Sequence, residues 1–163
     1  GITGGGKGFS YGESAQTLAL EDFSFSPLVC YEAIFSNEVI DKKNLPDVFI
    51  NLTNDAWFGN SSGPFQHFDM ARMRAIEYGI PLIRVANNGI TAFVDPFGKI
   101  IKSLPRNQMA IADITLVKNS ESTIYTVFGA LPTAFLIAIL LLTLLIKNTN
   151  KTREKNVKTH HTN

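Results

Sequence analysis

The feature that most constrains this chain is a run of nineteen residues, 128–146, without a single charged side chain. At about 1.5 Å of rise per residue a helix of that length covers about 28 Å, close to the ~30 Å hydrocarbon core of a bilayer. The run is apolar on all sides rather than along one stripe, which predicts a membrane-spanning helix and not a buried core helix. Pro132 falls in its first turn, where a missing N–H costs least. Residues 147–163 then carry Lys147, Lys151, Arg153, Lys155 and Lys158 against Glu154 alone, a net +4. With +1 for the whole chain, residues 1–127 carry −3. Basic flanks mark the cytoplasmic side, so residues 1–127 are expected to face outward. The tail is polar and aperiodic, which predicts disorder. No targeting sequence stands at the start, and the chain opens at Gly1 without an initiator Met, so a missing N-terminal part is expected.

Of 163 residues, 15 are basic and 14 acidic, a balance that argues against a nucleic-acid-binding surface. One cysteine excludes an internal disulfide and a Cys-rich zinc site. His67, His160 and His161 lack metal-site spacing, so neither metal nor cofactor is expected. The opening glycine-rich stretch around Lys7 mimics a phosphate loop. It lacks the Ser/Thr that must bind magnesium, and no strand precedes it.

Residues 23–30 alternate and then turn apolar, predicting a strand that ends at Cys30. Apolar residues at 31, 34, 35 and 39 predict a helix over 31–40. A buried strand follows at 47–52, then a loop over 53–68. A helix is expected over 69–78, with Asp69 as its cap and Gly79 ending it. Strands over 81–86 and 89–94 join at Asn87-Asn88-Gly89, a turn at 95–98 leads back through 99–104, and 109–114 reads as a last strand. Early alternation of strand and helix followed by hairpins indicates an α/β domain with a mixed sheet.

Cys30 is the leading chemical candidate, because a cysteine at a strand-to-helix turn can sit beside helix N–H groups that favour a thiolate. A lone cysteine is more commonly buried and inert, but its neighbours argue otherwise. Tyr31 and Glu32 follow directly, and a second polar cluster, Asn54-Asp55-Ala56-Trp57-Phe58-Gly59, follows the next strand. Loops at strand C-termini are where α/β domains bind ligands, and neighbouring strands would bring these two together. Glu32 and Asp55 are the nearby carboxylates, and His67 could form a Cys–His pair. Trp57 and Phe58 could line a substrate path or pack in the core.

Cys30-Tyr31-Glu32, residues 54–59 (NDAWFG), Gly63-Pro64-x-Gln66-His67, residues 70–77 (MARMRAIE) and residues 87–92 (NNGITA), in this order, resemble the apolipoprotein N-acyltransferases of the nitrilase, or carbon–nitrogen hydrolase, superfamily. The likeness runs from about Phe25 through the apolar run. It implies the C-terminal part of an α-β-β-α sandwich (residues 1–127), one transmembrane helix (128–146) and a cytoplasmic tail (147–163), in a multi-pass protein of the bacterial inner membrane with residues 1–127 in the periplasm. The family uses a Glu-Lys-Cys triad. Its cysteine takes an acyl chain from a phospholipid as a thioester and passes it to the N-terminal amine of a diacylglyceryl-cysteine apolipoprotein. By this resemblance Cys30 is the nucleophile, Glu32 a supporting carboxylate, and Tyr31, Trp57 and Phe58 substrate contacts. No motif here matches the family's base glutamate or its lysine, which lie upstream in the family, and neither Lys7 nor Glu13 fits them. The chain is therefore expected to be inactive alone, and nothing in it calls for more than one copy. The alternatives are a superfamily amidase acting on a small amide, and a non-catalytic membrane-anchored remnant.

Overall fold

The computed structural model describes the backbone of residues 14–106, 108–117 and 122–160. Lys7, Glu13 and His161 lie outside the described residues. A six-stranded sheet is built from β1 (Leu18–Ala19), β2 (Ser24–Val29), β3 (Val48–Asn54), β4 (Leu82–Asn87), β5 (Ala92–Val94) and β6 (Ile100–Ser103), in sequence order across the sheet. The pairs β2–β3 and β3–β4 are parallel, and the others antiparallel, so the sheet is mixed as expected. Both parallel connections cross on one face, as right-handed crossovers between successive neighbours require. That face is covered by α1 (Gly63–Tyr78) and by a five-residue 3-10 turn at Cys30–Ile34.

Side-chain alternation sorts the three parallel strands. Leu28, Asn51 and Arg84 stand on one rung of the covered face, while their neighbours Val29, Leu52 and Val85 form an exposed apolar row on the other. Leu28, Phe49, Leu82 and Val94 pack against Phe68, Ala71, Ala75 and Tyr78 of α1 and against Ala33, Val39 and Ile40. The two antiparallel strands at the far edge return through Asp95–Gly98, where Gly98 at φ 80° takes the left-handed conformation the turn needs.

Four local expectations change. The helix over 31–40 is only the turn Cys30–Ile34, because Phe35 turns extended (φ −90°, ψ 91°) and the chain then delivers Val39 and Ile40 to the core. The loop over 53–68 contains a 3-10 turn, Asp55–Phe58, and the beginning of α1, which starts at Gly63 rather than after Asp69. Pro64 in the first turn fits a helix start, and the buried positions 64, 67, 68, 71, 74, 75 and 78 give the helical stripe. Asp69 instead lies within α1, exposed and 3.7 Å from Arg72. Residues 109–114 form no strand; Met109 and Ile111 are exposed, and β6 gains no neighbour there among the described residues.

The chain divides into two units, one ending at Thr126 and the other starting at Val127. A short helix, α2 (Ile124–Phe128), leads through Gly129 at φ 58° into α3 (Leu131–His160). Phe128 therefore belongs to α2, and the window long and apolar enough to cross a membrane is Leu131–Asn148. Pro132 is the second residue of α3. The helix continues through the polar segment expected to be disordered, in which Lys, Arg and Glu favour helix and neither Pro nor Gly interrupts.

Near the C-terminal end of α1, Arg74 donates to Glu77 at 2.9 Å. Burial pushes the Glu77 carboxyl above the ordinary carboxylate range, with Arg74 pulling in the opposite direction. A carboxyl raised in the folded state contributes stability that is complete below its unfolded pKa and is lost as pH rises through the folded value. Glu77→Gln removes this dependence, so its stability relative to the parent should improve between pH 4 and pH 7. Urea unfolding midpoints at a series of pH values measure it.

Candidate active site

Cys30 follows the last residue of β2 and has φ 51°, a left-handed conformation that costs a non-glycine residue of order 1 kcal/mol. Two neighbours hold it there. Glu32 Oε2 accepts the Val29 backbone N–H at 2.7 Å, closing the turn from the outside. From inside, Asn51 Nδ2 donates to Leu28 O at 2.9 Å and to Cys30 O at 3.4 Å. The thiol is free and half-buried, and Thr53 Oγ1 lies 3.4 Å from Sγ. Val29 pairs with Leu52 in the last rung of the β2–β3 ladder, and Cys30 and Thr53 follow those two residues directly, which explains this closeness. The turn after Cys30 is too short to supply the helix dipole the sequence suggested, so local hydrogen bonds surround the sulfur instead.

Behind the thiol lies a fully buried polar cluster. Arg84 of β4 donates from Nη2 to Asp55 Oδ2 at 2.8 Å and from Nη1 to Asn51 Oδ1. Asp55 Oδ1 meets His67 Nδ1 at 2.8 Å and Thr53 Oγ1 at 3.1 Å. A carboxylate only accepts, so His67 carries its proton on Nδ1. The 3.1 Å approach of Arg84 Nη2 to His67 Nδ1 is then that of two donors sharing one acceptor. Burial lowers the Arg84 pKa, and the charge and hydrogen bond of Asp55 oppose that shift. Arg84 still holds its charge, since guanidinium does not deprotonate in proteins. Gly89 makes room for the cluster: a Cβ there would stand 2.1 Å from Asp55 Oδ2.

Tyr31 and Phe58 pack over the His67 ring, with centroids 5.5 and 5.8 Å away. Tyr31 and Trp57 are exposed, Trp57 by 71%, so Trp57 is not a core residue. The two loops predicted to meet do meet. His67, however, bonds to Asp55 and makes no hydrogen bond to Cys30, so the Cys–His pair considered from sequence is replaced by an Asp–His–Arg cluster. Asn51, Thr53 and Arg84 were not singled out in the sequence. Arg84 carried a signal, a charge on the inward register of an otherwise apolar strand, which demands a buried partner. Among the described residues no group of acidic, histidine and cysteine side chains could hold a metal.

Removing Asp55 would leave Arg84 buried and unpaired. Asp55→Ala should therefore destabilise the domain by about 3–5 kcal/mol, read from chemical denaturation. Gly89→Ala should also destabilise it, by about 1–3 kcal/mol, since the added methyl displaces the same carboxylate.

Residues 6–122 match the carbon-nitrogen hydrolase family. Among curated relatives, the apolipoprotein N-acyltransferase of Rhodopseudomonas palustris is 44% identical over 141 residues, 86% of this chain and 26% of that protein. That of Rickettsia prowazekii is 53% identical over 104 residues, 63% of this chain and 21% of that protein. The chain thus spans about a quarter of the length of the curated relatives it matches. A solved CN-hydrolase superfamily protein from Xanthomonas campestris aligns at 19% identity and a TM-score of 0.49, over 61% of this chain and 42% of that one. A nitrilase-superfamily amidase from Nesterenkonia AN1 aligns at 18% and 0.48, over 61% and 40%. With most of its length matching the family model, this chain belongs to the carbon–nitrogen hydrolase family.

Proposed function

We propose that this chain carries the nucleophile of an apolipoprotein N-acyltransferase, with Cys30 as the acyl-accepting thiol. The observation that carries the reading is the strained, half-buried Cys30 held between β2 and β3 by Asn51 and Glu32, in a chain whose curated relatives bear that name. Strain kept in place by dedicated hydrogen bonds is characteristic of functional residues.

In the first half-reaction Cys30 Sγ attacks the ester carbonyl of a phospholipid. The S–C bond forms, the C–O bond to glycerol breaks, and the lysophospholipid leaves with the proton taken from the thiol. In the second, the N-terminal amine of a diacylglyceryl-cysteine apolipoprotein attacks the thioester. The amide C–N bond forms, the S–C bond breaks, and the thiol recovers a proton from the amine. A thioester stores enough free energy for that transfer. The thiolate, not the thiol, is the nucleophile, so the reaction needs a base to take the proton. In the family a glutamate is that base and a lysine supports the reaction, and neither has a matching motif in this sequence.

Glu32 keeps Cys30 in place through the Val29 N–H. Tyr31 on the thiol turn and Trp57 on the turn after β3 offer exposed aromatic surface for acyl chains, and Phe58 packs against His67. Residues 131–148, apolar and helical, fit an inner-membrane span, with the basic tail cytoplasmic and the catalytic residues periplasmic. Lipid substrates would then reach the thiol from the bilayer.

Membranes expressing the complete gene product, incubated with acyl-labelled phosphatidylethanolamine, should yield a hydroxylamine-sensitive acyl adduct. Cys30→Ala should abolish it. An adduct undiminished in that variant would remove Cys30 from the nucleophile role. Turnover of small amides without phospholipid acylation would establish an amidase instead.

A further inference from the structure

The hydroxyl of Thr53 has one proton and two acceptors in reach, Asp55 Oδ1 at 3.1 Å and Cys30 Sγ at 3.4 Å. Asp55 does not depend on it, because His67 donates to Oδ1 and Arg84 to Oδ2 at 2.8 Å each. The thiol proton has the opposite consequence. A neutral thiol is a weak acceptor, and the carboxylate is the better partner for the hydroxyl. A thiolate is a strong acceptor, and hydrogen bonds to charged groups are about twice as strong as neutral ones.

We propose that Thr53 is a positioning residue that redirects its hydroxyl from Asp55 to Cys30 when the thiolate forms, stabilising the reactive state of the sulfur. The inference rests on the reading of Cys30 as nucleophile. No proton of Thr53 is transferred: the thiol proton goes to the general base, and the hydroxyl rotates about its own C–O bond. Asp55 remains satisfied by His67 and Arg84, so the rotation strands no buried charge.

The charged and titratable groups around the sulfur fit this role. On the turn itself, Tyr31 stacks on His67, and Glu32 is committed to the Val29 N–H. Behind it, Asp55 is an anion paired with Arg84 at 2.8 Å, so its repulsion of a thiolate is offset by the guanidinium. His67 faces Asp55 through Nδ1. Thr53 is the described side chain with a hydrogen bond to Sγ itself. Its place follows from the end of the β2–β3 ladder: Val29 pairs with Leu52, and Cys30 and Thr53 are the residues that follow them.

The test is the pH dependence of Cys30 alkylation by iodoacetamide in the complete gene product, with Cys30→Ala as the background control. Thr53→Val is isosteric and keeps the β-branched shape of the strand, whereas Thr53→Ser keeps the hydroxyl. Thr53→Val should move the alkylation midpoint upward by about one pH unit and slow the reaction at pH 7 about tenfold. Thr53→Ser should titrate as the parent does. A Thr53→Val midpoint equal to the parent's, or a Thr53→Ser midpoint displaced as far as Thr53→Val, overturns the proposal. Should the valine variant not fold, Thr53→Ala is read in its place with the same expected shift. The phospholipid-adduct assay separates the two readings. An unshifted midpoint with a Cys30-dependent adduct removes Thr53 and keeps the nucleophile. A shifted midpoint with a Cys30-independent adduct keeps the hydrogen bond and removes the reaction it was meant to serve.

Discussion

The buried pairing of Arg84 with Asp55 is the interaction on which the rest of the site depends. A guanidinium with no exposed surface is tolerated only when its charge is paired, and here Nη1 and Nη2 are met from two different elements while Nε has no hydrogen-bond partner. Asp55 comes from the turn after β3 and Asn51 from within β3, so one side chain of β4 fixes the end of its neighbour. Asn51 passes the constraint on to the carbonyls of Leu28 and Cys30. Three adjacent strand ends are thereby tied together by polar contacts at the place where the core's apolar packing runs out. The strain at Cys30 is sustained because the Asn51–Leu28 and Arg84 contacts behind it are buried, where water does not compete for them.

The same cluster shows how structure and chemistry divide their work. Aromatic rings close over His67 while Tyr31 and Trp57 keep much of their surface open. Asn51 and Thr53 meet the Cys30 turn with polar atoms, while Tyr31 and Phe58 meet His67 with aromatic ones.

Much of the fold was legible because strands of this kind announce themselves. Residues 23–30 and 47–52 alternate or run apolar, and both became strands that ended within two residues of expectation. Gly79 ended α1 as its left-handed φ of 66° allows. The failures share a cause. At 31–40 apolar spacing matched a helix, yet tertiary demand for Val39 and Ile40 in the core took precedence over local pattern. At 63–68 the Asn-, Ser-, Gly- and Pro-rich run of 53–68 concealed a helix start that Pro64 marked. In the site, Cys30, Glu32, Asp55 and His67 stood out by residue type, but their connections did not. Asn51, Thr53 and Arg84 act through register, which depends on how strands pair and is not written in any one of them.

The two faces of the parallel strands carry a consequence for how this sequence can vary. Leu28, Asn51 and Arg84 alternate with Val29, Leu52 and Val85, so a one-residue shift of β3 exchanges every side chain between faces. Leu52 would then sit against the guanidinium, and Asn51 would join the apolar row. Insertions and deletions between β2 and β4 are thus confined to the connections, where spare length can be absorbed without changing phase. The strands behave as a reading frame: a length change inside one of them corrupts every later position of that strand, while spare length is tolerated only in connections outside Cys30–Ile34, Asp55–Phe58 and α1.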